Sequence, residues 1–188
     1  MMVAHPRQNM ADRLPGNPLI WILIASELLV FGIALAGFLA ARMIEPQLFA
    51  KGAQKLHAFS GAFNMAVLLT SGWAAAVAQE HSRTGNEMWT RLWLGVVAAL
   101  GCAFLFIKGQ EYADLIKQGL DTDSGTFYMM YYLITGFHVA HVVFGVVVLG
   151  LASIVPKPAF VEPPVAFWHM VDLVWVLVFP VVYLLPLP

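Results

Sequence analysis

Residues 126–155 read TFYMMYYLITGFHVAHVVFGVVVLGLASIV, thirty positions with no Asp, Glu, Lys or Arg. A helix needs about 20 mostly apolar residues to cross the hydrocarbon of a bilayer. This run exceeds that length, so it predicts a spanning helix. Four further runs meet the same test, at 19–42, 57–80, 91–113 and 164–185. The apolar part of the first run is longer than the roughly 7–15 residues of a secretory signal, so it is expected to be a retained helix. The fold class expected is therefore all-α integral membrane, with five transmembrane helices.

The composition agrees. Of 188 residues, 60% are hydrophobic and only 11% charged. Soluble domains carry about 25% charge, so the chain lacks the polar surface to be one. A net charge of −1 gives no electrostatic footprint for nucleic acid. Cys102 is the single cysteine and lies within an apolar run, where a small buried residue is expected. The segments 43–56, 81–90, 114–125 and 156–163 read as loops by their Gly, Pro and charge content. None is long enough for a folded domain. Residues 1–18 read as a polar arm, leaving 19–188 as one five-helix domain. An odd number of spans places the termini on opposite sides. Charge does not choose the side. Arg7, Arg13, Arg83, Arg91 and Lys157 fall on one face, and Arg42, Lys51, Lys55, Lys108 and Lys117 on the other.

Ionisable residues within spans are costly in hydrocarbon and mark functional or packing sites. Glu27 lies about 12 Å into the first run, at 1.5 Å per residue. Glu111 lies near the end of the third. His138 and His141, in the fourth, share a face that Gly145 continues. His169 and Asp172, in the fifth, are also three apart and in reach of an ion pair. Trp168, Asp172 and Trp175 follow an i, i+4, i+7 pattern. Ser60, Asn64 and Ser71, with Gly61 and Gly72, give the second run the small and weakly polar face of a packing helix. Three readings of the histidines stay open: a metal or haem site, a proton or ion pathway, and polar pairing between packed helices.

Four stretches then carry a resemblance. Thr135-Gly136-Phe137-His138-Val139-Ala140-His141-Val142, followed by Gly145, resembles the TGFHxxHVxxG run of subunit III of the haem-copper oxidases. Trp168-His169-Met170-Val171-Asp172-Leu173-Val174-Trp175 resembles that family's WHFVDxVW run. The helix around Ser26-Glu27 is similar to its SE-containing helix, and Gln110-Glu111-Tyr112 to its Q-x-x-E-Y segment. The order matches, and the loop between the two histidine motifs is shorter than in many members.

The resemblance implies a V-shaped bundle with lipid in its cleft and a chain of the short, five-helix form. It implies no redox centre or metal of its own, with haem and metal in a catalytic partner subunit. Glu27 would be the buried carboxylate, and Glu111, His138, His141, Trp168, His169 and Asp172 inter-helix or lipid-cleft residues. Bound phospholipid and a haem-bearing membrane partner are the expected companions. The N-terminus would be cytoplasmic, in a bacterial inner membrane. The short chain and the second run, GAFNMAVLLTSGW, resemble the subunit III-like accessory protein of nitric-oxide reductases, which would place it in denitrification. Subunit III of a cytochrome c or quinol oxidase is the alternative, and a stand-alone transporter or cytochrome the second alternative. The partner is expected on the small-residue face of the first run (Gly32, Ala36) or of the third (Gly95, Ala99, Ala103).

The first prediction concerns metal. The purified subunit is expected to hold well under one iron, copper or zinc per chain, measured by elemental analysis. One tightly bound metal, lost in His138→Ala or His141→Ala, would establish the metal-site reading instead.

Overall fold

The computed structural model of the chain describes residues 18–185. They form six α-helices: α1 (Pro18–Ile44), α2 (Pro46–Gln54), α3 (Ala58–Arg83), α4 (Glu87–Lys117), α5 (Thr126–Ile154) and α6 (Pro158–Phe179). A π-helical turn, Pro180–Leu184, extends α6. Among the described residues five helices are long and apolar enough to cross a membrane: α1, α3, α4, α5, and α6 with its π turn. The five runs expected from the sequence are these five. The expected arm falls outside the described residues apart from Pro18, which begins α1.

The loops are shorter than expected. The segment 43–56 holds the nine-residue α2 and is not a loop throughout. Pro46 starts it, at the position where a missing N–H costs nothing. Its buried Phe49, Gly52 and Ala53 lie on one side, and Phe49 meets Phe38 and Phe127 edge-on. The run 156–163 is mostly the first turns of α6, which opens at Pro158. Helix α4 begins at Glu87, capped by the Asn86 side chain on the Trp89 N–H, and continues to Lys117. The α3–α4 turn is tight because Gly85 takes φ +75°, a conformation open to glycine at little cost.

Helix α6 is the hub, packing against α1, α3 and α5. Trp168 shows how. Its side chain is fully enclosed. A Cβ added at Gly101 of α4 would come within 2.8 Å of the indole, and one at Gly145 of α5 within 2.6 Å. The ring thus occupies a slot cut by two glycines on different helices. Its Nε1 donates to Ser71 Oγ at 3.0 Å, and Ser71 donates to the Val97 carbonyl at 3.4 Å. One side chain therefore joins four helices. On α3, Gly61 and Gly72 lie as tightly against Phe179 and Asp172. By contrast, Gly32, Gly95, Gly109 and Gly150 have nothing within 4 Å of such a Cβ.

This division generates a second prediction. Gly145→Ala and Gly101→Ala should each lower stability by about 1–3 kcal/mol through overpacking. Gly32→Ala and Gly95→Ala should be neutral or stabilising by about 0.5–1 kcal/mol, from helix propensity alone. Thermal unfolding of the purified variants in detergent separates the two pairs.

Candidate functional site

The polar residues inside the spans gather into three places, and each answers a different need. The first lies where α4, α5 and the end of α6 meet. Lys108 is fully buried. Its ammonium lies 3.4 Å from Glu111 Oε2, one turn on along α4. It donates to the Tyr131 hydroxyl at 2.9 Å and also to the Tyr183 hydroxyl. Both tyrosines in turn donate to Glu111 Oε1, at 2.8 and 2.7 Å. The ammonium also lies 4.7 Å from the ring centre of Tyr131, 5.1 Å from those of Tyr112 and Tyr183, and 5.3 Å from that of Trp175. It is thus hydrogen-bonded and caged by aromatic faces, which attract a cation.

Local sequence explains how the cage closes. Pro180 has no N–H to give α6 and its ring crowds the preceding turn. The chain answers with the π turn, closed by the Leu185 N–H on the Pro180 carbonyl at 2.9 Å. Tyr183, fully buried, sits on this turn. Beside it Thr135 donates to the Tyr131 carbonyl at 2.6 Å, so its oxygen accepts from the Tyr112 hydroxyl at 2.7 Å.

Glu111 joins α4 to Tyr131 of α5 and Tyr183 of the π turn. Lys108, counted above among the cations of one membrane face, is buried within the span. It belongs with the interior, leaving four of the counted cations on that side. The position had one visible signal: Lys108 and Glu111 are three apart, so they share a helix face.

The second place is the groove between α1 and the α5–α6 pair. Glu27, expected as the buried carboxylate, is partly buried, its side chain 20% exposed. Its Oε2 lies 3.0 Å from His141 Nε2. The His141 Nδ1 faces the Phe137 carbonyl at 2.8 Å. A carbonyl only accepts, so Nδ1 carries a proton. The short Nε2–Oε2 contact then needs one shared proton, on either the carboxyl or the imidazole. Both arrangements leave the pair with no net charge, which suits a group inside a membrane. The pair lines a cavity of about 300 Å³ with Leu23, Ala140, Phe144 and Phe167. A second, wholly apolar cavity of about 200 Å³ adjoins it, sharing Leu23, Phe144 and Phe167 and adding Pro163 and Pro164.

His138 is not part of that pair. It is fully buried, stacked on Trp175 at 5.0 Å and edge-on to Phe104 at 5.5 Å. Neither of its ring nitrogens has a hydrogen-bond partner. The helix turns His138 into the core and His141 toward α1. Among the described residues no three His, Cys, Asp or Glu side chains gather around one point.

The third place is the α3–α6 face. Asp172 is 6% exposed and neither carboxylate oxygen has a hydrogen bond. His169 Nδ1 stands 3.9 Å from Asp172 Oδ2, within the expected reach of an ion pair but longer than a hydrogen bond. The side chain of His169 is 44% exposed. These two residues open onto a cavity of about 490 Å³ beside Leu69, Gly72 and Trp73. Phe167 and His169 point to opposite sides of α6, so this site and the Glu27 groove are separate. Asn64, expected in the polar stripe of α3, is buried with its amide unpaired.

The cage yields the third prediction. Lys108→Met leaves a buried Glu111 without its counter-charge and should cost about 3–5 kcal/mol. The double variant Lys108→Met, Glu111→Gln should recover most of that loss. Denaturation in mixed micelles, as a double-mutant cycle, measures both.

Comparison with known proteins bears on the whole chain. The sequence model of the family described as Cytochrome c oxidase subunit III matches residues 19–186. Cytochrome c oxidase subunit 3 of Synechocystis sp. is 30% identical over 175 residues, covering 88% of this chain and 73% of the relative. Cytochrome c oxidase subunit 3 of Bacillus sp. (strain PS3) is 27% identical over 175 residues, 88% of this chain and 83% of the relative. Probable cytochrome c oxidase subunit 3 of Mycobacterium bovis is 25% identical over 183 residues, 93% of this chain and 89% of the relative. With all five spans inside the matched region, the chain belongs to the cytochrome c oxidase subunit III family.

Proposed function

We propose that this chain is a non-catalytic membrane subunit of a bacterial haem-copper oxidase complex, and that it supports the assembly, stability or turnover of a haem-bearing catalytic partner. Membership of the subunit III family across nearly the full chain carries the reading. The site geometry agrees with it. Among the described residues its intramembrane ionisable groups pair with each other, line grooves or, for His138, pack within the core.

The named relatives favour an oxidase as the complex. The accessory role beside nitric-oxide reductase is the second reading, and rests on the short chain and the compact second span. In either complex the adjoining cavities between α1 and α5–α6 suit acyl chains, being lined mainly by Leu23, Phe144, Phe167 and prolines. A phospholipid lying there would meet the Glu27–His141 pair, whose neutrality spares it a charge in hydrocarbon. By the family resemblance, we propose a cytoplasmic N-terminus in a bacterial inner membrane.

The fourth prediction tests this directly. Affinity purification of the tagged chain from its native membrane in mild detergent should recover a haem-bearing polytopic subunit, while the chain stripped of it is colourless. Copper beside the partner's high-spin haem identifies an oxidase, and non-haem iron there identifies a nitric-oxide reductase. A Soret band that stays with the isolated chain would overturn the non-catalytic reading.

A further inference from the structure

His169 and Asp172 lie near the middle of the span formed by α6 and its π turn. Asp172 is about 21 Å along the helix axis from Pro158 and about 18 Å from Leu184. Hydrocarbon is about 30 Å thick, so a lipid headgroup stays about 15 Å away from this level. An imidazole there has no headgroup or water to satisfy it. Yet His169 is 44% exposed, and behind it the Asp172 carboxylate is buried without a hydrogen bond. The other ionisable groups at comparable depth are enclosed or paired: Lys108 with Glu111, Glu27 with His141, and His138 within the core. His169 alone among these turns outward. Ionisable residues within spans face protein or water, not lipid.

The local chemistry says what belongs on this face. A small rotation of the imidazole lets Nδ1–H donate to Asp172 Oδ2, now 3.9 Å away. Asp172 is held in position because its Oδ2 rests over Gly72, where a Cβ would come within 2.4 Å. With Nδ1 protonated, Nε2 is left as an acceptor. Around it Leu69, Trp73 and Leu173 are 51%, 61% and 47% exposed, an apolar rim about a polar centre. We infer that the α3–α6 face is the docking surface for a membrane-spanning helix of the partner subunit, and that this helix presents a hydrogen-bond donor (a hydroxyl, amide or ammonium group) to His169 at mid-membrane.

The inference rests on the proposed role as a subunit and replaces the small-residue faces of the first and third spans as the expected contact. Those faces are open, with nothing near a Cβ at Gly32 or Gly95, but they carry no group that asks for a partner.

Photo-crosslinking in native membranes tests it. A diazirine amino acid is placed at Leu173 in the groove, at Gly32 on α1, or at Val147 on the exposed side of α5. Leu173 should give an adduct with the haem-bearing subunit, and Val147 should give lipid adducts. His169→Leu should lower recovery of the partner by roughly three- to thirtyfold, the range of an interhelical hydrogen bond in membranes. His169→Gln keeps an acceptor and should restore much of it. Lipid adducts alone at Leu173 overturn the surface. If the partner still co-purifies and crosslinks from Gly32, the subunit role stands and only the surface falls. If no haem-bearing subunit co-purifies with the unmodified chain, the subunit role falls too.

Discussion

The bundle depends on one tryptophan filling a slot that two glycines leave open. In a bilayer the lipid is as apolar as leucine, so burying leucine against leucine does little to hold helices together. Close fit and hydrogen bonds must do it. Trp168 supplies both, entering between Gly101 and Gly145 and donating to Ser71. Because the indole spans α3, α4, α5 and α6 at once, it sets how near each helix stands to the others. The depth at which Lys108 meets Tyr183, and at which His138 meets Trp175, follows from that spacing.

The interior then sorts its polar groups by how far they can be satisfied. The Lys108 cage is closed: the ammonium has its carboxylate, two hydroxyls and aromatic faces on several sides. Such a cluster gains little net energy over apolar packing but is expensive to half-remove, which makes it a lock on helix register. The Glu27–His141 pair is closed in charge but open in shape, bordering apolar cavities. The Asp172–His169 pair is closed in neither sense. That gradient separates a group that holds the fold from one that borders an apolar groove and from one left unsatisfied at the surface.

Helix α1 stands apart in this scheme. It buries Phe31, Leu35 and Phe38 but keeps Gly32, Ile33 and Ala36 outside. Its ties to the rest include aromatic contacts, Phe31 against Phe137 and His141 and Phe38 against Phe49 and Phe127, and the polar link from Glu27 to His141. A helix joined by so few contacts can border a groove wide enough for acyl chains.

The sequence by itself determined that the chain crosses a membrane five times, roughly where each crossing lies, and which interior residues are polar. Those properties are local: twenty apolar neighbours make a span whatever lies beside them. It missed α2, because nine mixed residues carrying Pro46, Lys51 and Gly52 have a loop's composition and become helical by packing on Phe38 and Phe127. Helical periodicity set His138 near His141, and His169 near Asp172, but the structure turns His138 into the core and His141 toward α1. Only the tertiary structure decided what each face meets. Glu27 and His141 are 114 positions apart, and Lys108 and Tyr183 are 75 apart. Lys108 was counted with the cations of one membrane face because nothing near it in sequence announces two tyrosines from other helices. In lipid every apolar face is equally acceptable, so shape and hydrogen bonding between distant segments choose the neighbours, and hydropathy carries no record of that choice.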